Sequence, residues 1–362
     1  MTSRERVFCA LDHRQPDRCP TYIWMTGRLQ AVLEEYLGVE GQDGIEEALQ
    51  IDRWRRVQLE RQPAPDEEEQ IRQFIPKRIL GREGIRVLDD GRVVREHRKE
   101  AYGDDTIWYP LQEVEDLSEI EAYPFPDPDQ IKWPDESLRE EVETLKTSDT
   151  IVQGHVIQPF KGAWQYRGME NLLCDYLLWP ELVEALYDRV YGYITGEALV
   201  YAEAGVDMVC VIGDIGMQDR LIYSPDLWRK FDKPRFAKFI RTIKEAHPDV
   251  MVYMHSDGEL TDIVPDLVEI GLDILNPIQP ECMDPFTIKK EWGDQLSLVG
   301  AVSLQRTMPF GTVDEVQAEV RKLIEVCGEN GGYVMGPANG FTIDIPLENI
   351  VAMYEAVPDS SE

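Results

Sequence analysis

The sequence predicts an α/β fold, a (β/α)8 TIM barrel carrying an N-terminal antiparallel β insertion. Three observations predict it. From about residue 150 onward, short continuous apolar runs alternate with helical stretches, the pattern of a parallel sheet covered on its outer face. No G-x-G-x-x-G follows the first strand-like run, which argues against a doubly wound dinucleotide-binding sheet. Polar residues recur at nearly every strand's C-terminal end, where barrels of this kind place their chemistry. A chain of 362 residues suits one barrel of roughly 250 residues plus decoration, so residues 1–362 read as a single domain.

The elements follow in order. Thr2, with Glu5 three residues on, opens a short amphipathic helix as a capping box. QPDRCP breaks it, and PTYIWM (20–25) reads as the first strand. Residues 28–37 and 44–49 read as helices. Residues 78–110 form the β-rich insertion, short runs alternating around the turn signals LDDGR and YGDD. Four prolines make 123–136 an extended connector. Strands are then expected at 150–156, 207–214, 250–257, 273–278, 296–302 and 332–337, each followed by a helix, one of them spanning about 225–246.

Composition narrows the function classes. Apolar residues make up 43% of the chain, enough for a large core. The balance of 37 Lys and Arg against 69 Asp and Glu gives a net charge of −32, a surface that repels nucleic acid and anionic membranes and slows polyanionic substrates. No apolar run reaches the roughly eighteen residues of a membrane span, and the charged start MTSRERVFCALDH lacks a signal-peptide core, so the expected location is cytoplasmic. The six cysteines include no C-x-x-C pair, so neither a disulfide framework nor a ribbon-type zinc site is indicated.

Strand C-termini and the loops after them supply the candidate site residues: Trp24, Arg28, His155, Gln158, Asp214, Gln218, His255, Asp257, Asn276, Gln279, Ser303 and Asn339. His255-Ser256-Asp257-Gly258 is the sharpest cluster. A His and an acid two apart can converge where a strand ends in a turn. Three uses fit: a general acid/base pair, two zinc ligands, or polar contacts to a substrate. The structural alternatives are that His255 caps a neighbouring loop and Asp257 is the N-cap of a helix starting near Glu259. Asp214 closes the run VCVIGD and can act as base, metal ligand or partner of an N–H-bearing substrate, or bond its own loop. IQPFKGAWQYRGME reads as a loop whose Trp164 and Tyr166 form a lid or substrate wall, with Arg167 and Glu170 as a local pair. Asn339 lies in MGPANG, where it either contacts substrate or satisfies the turn.

The sequence resembles the uroporphyrinogen decarboxylase superfamily, which includes the cobamide-dependent methyltransferases. The resemblance covers nearly the whole chain. It is carried by RERVFCALDHRQPDRCP, PFKGAWQYRGMENLLCDY with WPELVEAL, YSPDLWRKFDKPR, HSDGELTDIVPDLVEIGLDILNPIQP, and GGYVMGPANG with PLENIVAMYEA. It implies a barrel with its site at the strand C-termini. The decarboxylase itself carries an Arg-Gln-Ala-Gly-Arg run after the first strand to grip carboxylates; here the place reads Met25-Thr26-Gly27-Arg28. The zinc methyltransferase branch carries His-x-Cys-Gly after one strand and a further Cys after the last. His255 matches that His, Asp257 stands for the first Cys, and Asn339 or Ala338 for the second. A thiolate zinc site is therefore lost or altered, although zinc accepts carboxylates and could be held by His255 and Asp257 with Asp214 or a glutamate.

The resemblance thus implies a methyltransferase that moves a methyl group from a small methylated or methoxylated compound to the cobalamin of a partner corrinoid protein, with His255, Asp257 and Asp214 as catalytic residues. Zinc is an expected cofactor and a homodimer an expected assembly. The alternatives are a metal-free decarboxylase of a porphyrinogen or related acid, and a non-catalytic ligand-binding barrel.

Overall fold

The apolar runs become a parallel sheet because each is buried on both faces. The computed structural model describes residues 1–59, 66–95, 104–127 and 136–358. Among these the strands are β1 (Trp54–Val57), β2 (Ile85–Val87), β3 (Val93–Arg95), β4 (Asp105–Trp108), β5 (Ile151–Ile157), β6 (Met208–Ile212), β7 (Met251–His255), β8 (Ile274–Asn276), β9 (Ser297–Val302) and β10 (Tyr333–Pro337). Seven of them pair in the order β1-β5-β6-β7-β8-β9-β10, every recorded register parallel.

Residues 20–25 take the eighth position, but not as the strand expected. They are extended and pair with the β10 side at two isolated points, Thr21 with Met335 and Met25 with Phe341. The ladder breaks because β10 ends at Pro337, and the chain turns through Ala338–Gly340 before Phe341 returns. On the other edge Thr21 N–H donates to Asp52 Oδ2 (2.8 Å) and Trp54 Nε1–H to the Thr21 carbonyl (3.1 Å). Side chains therefore close the ring between β10 and β1.

Strand periodicity then decides what faces inward. Trp54, Ile151, Met208, Cys210, Tyr253, Ile274, Val299 and Val334 pack together as the barrel's inner core. Stepping two residues toward the C-terminal ends from Trp54, Cys210, Tyr253 and Ile274 places Arg56, Ile212, His255 and Asn276 in the layer above, where His155 of β5 joins them. The opposite parity, including Val57, Val152, Val209 and Val252, packs into the larger cluster beneath the outer helices. Strand β1 was not anticipated from the sequence. Its two adjacent arginines conceal the alternation, since Arg55 turns outward onto Glu46 (2.7 Å) and Asp43 while Arg56 turns in.

The insertion is present as the antiparallel sheet β2-β3-β4, turning at Leu88–Arg92 with Gly91 at φ +80°. Its range begins with a helical turn, Lys77–Leu80, whose Ile79 packs with Ile71, Ile75, Val93 and Trp108. Residues 102 and 103 of the YGDD signal and 128–135 of the connector lie outside the described residues.

The helix expected over 225–246 is two, Pro225–Phe231 and Lys233–Ala246. The break falls at Asp232, and Pro234 supplies no N–H in the next first turn. Asp232 is fully buried, which pushes its carboxyl up to about 7 against the opposing hydrogen bonds it accepts from the hydroxyls of Tyr223 (2.9 Å) and Tyr191 (3.2 Å). Tyr223→Phe removes one donor from a buried acid and is expected to cost about 1.5–3 kcal/mol of stability. An unchanged thermal midpoint in that variant contradicts the assignment.

Candidate active site

His255 ends β7, and its ring is fixed by the neighbouring strand. Nδ1–H donates to Asn276 Oδ1 (2.6 Å), while Asn276 Nδ2–H donates to the Val299 carbonyl (3.0 Å) and so orients that amide. Nδ1 therefore carries the proton in the neutral ring, leaving the Nε2 lone pair to face the mouth. The Trp24 ring meets the imidazole edge to face at 6.1 Å.

Two carboxylates converge on that nitrogen. His255 Nε2 lies 3.9 Å from Asp214 Oδ1 and 3.9 Å from Asp257 Oδ1. The Asp257 backbone N–H donates to Asp214 Oδ1 (2.9 Å), tying the loop after β7 to the loop after β6. Asp257 Oδ2 accepts a hydrogen bond from Asn339 Nδ2, and Oδ1 is buried without a hydrogen-bond partner among the described residues. Burial, with the nearby Asp214 carboxylate, raises the Asp257 carboxyl to about 6, although His255 and Asn339 pull the other way.

Two glycines let the loops touch. A Cβ on Gly258 (φ +92°) would lie 2.5 Å from the Gly216 carbonyl carbon, and one on Gly216 would lie 2.5 Å from the Asp257 carbonyl oxygen. The contact is sealed by Glu259 N–H to the Met217 carbonyl (2.8 Å), Ile215 N–H to Ser256 Oγ (3.0 Å) and Gly258 N–H to Gln279 Oε1 (3.0 Å). Gly258→Ala combines backbone strain with this clash and is expected to part Asp214 from Asp257. Activity should then fall far more than the thermal midpoint does; full activity in the variant counts against this arrangement.

The structural alternatives for the cluster are overturned. The described chain after Asp257 forms a 3-10 turn only at Thr261–Ile263, and the Asp257 carboxylate bonds Asn339 rather than a helix N-terminus. His255 holds Asn276, and Asp214 bonds the neighbouring loop rather than its own. The predicted lid loop is a helix, Pro159–Arg167, started by Gln158 as its cap and by Pro159 at its first position. Gln158 is thus buried in a structural role, its Oε1 accepting from Lys161 N–H (3.0 Å). Trp164 packs edge-on against Tyr109, Tyr166 packs against Tyr123 and Phe125, and Arg167 pairs with Asp175 (2.6 Å) instead of Glu170. Arg28 is exposed on the helix Gly27–Leu37 and does not line the cavity below His255. Gln218 lies exposed at the rim, bonded to Gln305 and the Glu281 carbonyl, and Ser303 Oγ bonds Glu281.

A cavity of about 410 Å³ opens at the mouth, within the range that holds small ligands. Tyr22, Trp24, Trp54, Arg56, Gln153, His155, Tyr253, His255 and Asn276 line it. His155 also lines a second cavity, of about 540 Å³, beside the insertion and Tyr166. Burial, with Arg56 and His255 close by, lowers the His155 imidazole to about 3, so it is neutral near pH 7. Arg56 is the functional candidate that sequence reasoning missed. Only knowledge that WRRV is a strand, with Trp54 inward, would have found it.

Residues 102–359 match the family described as Uroporphyrinogen decarboxylase (URO-D). The chain belongs to that family. Among curated relatives, the Methylcobamide:CoM methyltransferase MtaA of Methanosarcina barkeri is 28% identical over 186 residues, 50% of this chain and 51% of the relative. The uroporphyrinogen decarboxylase of Pelodictyon phaeoclathratiforme is 26% identical over 185 residues, 50% of each chain. The chain thus spans about half the length of the curated relatives it matches. A solved methyltransferase from Methanosarcina mazei has the same fold, with a TM-score of 0.66 at 19% identity over 98% of each chain.

The residues present fit a metal. Ligand atoms of Asp214, His255 and Asp257 all lie within 4.8 Å of one another, and the buried Asp257 Oδ1 has no hydrogen-bond partner among the described residues. One imidazole and two carboxylates form an N/O/O donor set that zinc accepts, with a softer preference for it than thiolates would give.

Proposed function

We propose that this URO-D family chain is a methyltransferase that moves a methyl group from a small methylated or methoxylated donor to the cobalt of a separate corrinoid protein. The observation that carries this reading is the meeting of His255, Asp257 and Asn339 at one point of the mouth. By the resemblance His255 and Asp257 stand at the methyltransferase branch's His and first Cys, and Asn339 or its neighbour Ala338 at the second Cys. The relative named as a methylcobamide methyltransferase supports it.

In the proposed reaction the methyl–oxygen bond breaks, its electron pair stays on the leaving oxygen, and the methyl carbon bonds to the reduced cob(I) centre of the partner, which supplies the electron pair of the new bond. The leaving oxygen then needs a proton. Asp257, whose carboxyl sits near 6, is the group placed to supply it, while the Nε2 lone pair of His255 faces the mouth as an acceptor. His255, Asp257 and Asp214 would hold zinc, which when bound polarises the leaving heteroatom. Trp24, Trp54 and Tyr22 wall the donor, and Asn276 and Asn339 hold His255 and Asp257 in place. Trp24, Met217 and Ile343, exposed on loops at the strand C-termini, supply apolar surface for a corrinoid protein to meet.

A second reading, decarboxylation of a porphyrinogen or related acid, is favoured by the nearly equal identity to the uroporphyrinogen decarboxylase. Parallel incubations separate the two. Protein, cob(I)alamin and methyl donors should yield methyl-cobalt absorption, and uroporphyrinogen should remain intact. Carboxylate loss from uroporphyrinogen, with no methyl-cobalt from any donor, reverses the conclusion.

A further inference from the structure

We propose that Arg56 receives a carboxylate of the substrate, so that the substrate is a small molecule with one carboxylate at one end and its reacting group at the other, beside His255. Strand alternation turns Arg56 into the barrel with Trp54, into the same layer as His155 and His255. Arg56 is exposed within that cavity, so its guanidinium donors are open to the space a ligand would occupy. Among the described residues no carboxylate pairs with it. The contrast with its neighbour is direct, because Arg55 is held by both Asp43 and Glu46. In a chain with 69 acids, an unpaired guanidinium facing a cavity is a vacancy for a ligand's anion.

The surroundings set the rest of the ligand. Tyr22, Trp24 and Trp54 line the same cavity as Arg56 and His255 and offer it flat apolar walls, which suits an aromatic ring. His155 stays neutral, and Arg55, which also lines the cavity, is already held by Asp43 and Glu46, so a single carboxylate matches the site and a polycarboxylate does not. Only the nature of the group at the His255 end rests on the methyltransferase reading. The carboxylate end stands on Arg56 alone.

Calorimetric binding tests this without any turnover, using 4-methoxybenzoate and its neutral counterpart 4-methoxybenzyl alcohol. The full-length protein should bind the carboxylate about ten- to a hundred-fold more tightly than the alcohol. Arg56→Gln should erase that preference while leaving the alcohol's affinity unchanged, which also shows that the variant is folded. Arg56→Lys should restore part of it, since charge returns without the planar fork. A wild-type protein with no preference for the carboxylate, or an Arg56→Gln variant that keeps it, overturns the proposal. Failure of methyl transfer in a separate assay would sink the methyltransferase reading and leave this result standing.

Discussion

His255→Ala is expected to lower methyl transfer by about a hundred- to ten-thousand-fold, the range for removing a positioned acid/base group or ligand. The reason is local. Among the described residues the ring's only polar partner on its Nδ1 side is Asn276, so Nε2 is the one atom the site commits to the mouth. Asn276→Leu should therefore be a milder version of the same lesion, costing about ten- to a hundred-fold. It leaves the imidazole present but frees its tautomer and orientation. Single-turnover rates with cob(I)alamin as acceptor check both. An Asn276→Leu variant as fast as wild type would mean that the hydrogen bond does not position the ring.

Asp257→Asn should stabilise the protein at neutral pH while abolishing its activity. The sign follows from the raised carboxyl, about 6 in the folded chain against an ordinary value of 3.8. Stability from this group is fully present below 3.8, where both states are protonated, and is lost as pH rises through about 6. Asparagine never ionises, and its side-chain carbonyl can still accept from Asn339. The variant should gain about 1–3 kcal/mol over wild type at about pH 8, and little or nothing at about pH 4. Thermal or urea unfolding of the pair at both pH values measures the difference directly. A variant less stable than wild type at the higher pH shows that Asp257 is held as a satisfied ion instead.

The barrel was legible because burial on both faces leaves a mark in the sequence. VMVYM and LSLVGAV are almost wholly apolar and are followed by polar residues, His255 and Ser303, and β7 and β9 form there. The i, i+2 spacing of His255 and Asp257 likewise marked the mouth. Strand β1 left no such mark, since two of its four residues are arginines that face opposite ways. Arg28, chosen for its place after the first strand, is exposed on a helix, while the cavity is lined by Arg56. The helix Pro159–Arg167 was read as a loop because its Pro159, Gly162 and flanking Gly168 look like turn residues, yet Pro159 occupies the one helical turn that tolerates it. Neither the bond from Asn339 to Asp257, 82 residues apart, nor that from Asp257 to Asp214, 43 apart, could be read without the fold.

The most direct measurement follows cobalt absorption after rapid mixing of the protein, cob(I)alamin and a methoxylated donor such as 4-methoxybenzoate. A methyl-cobalt spectrum that forms with wild type and is lost in both His255→Ala and Asp257→Asn is the result expected if the mouth cluster performs the transfer. Undiminished formation in both variants, or none with wild type across a panel of methylated and methoxylated donors, contradicts it.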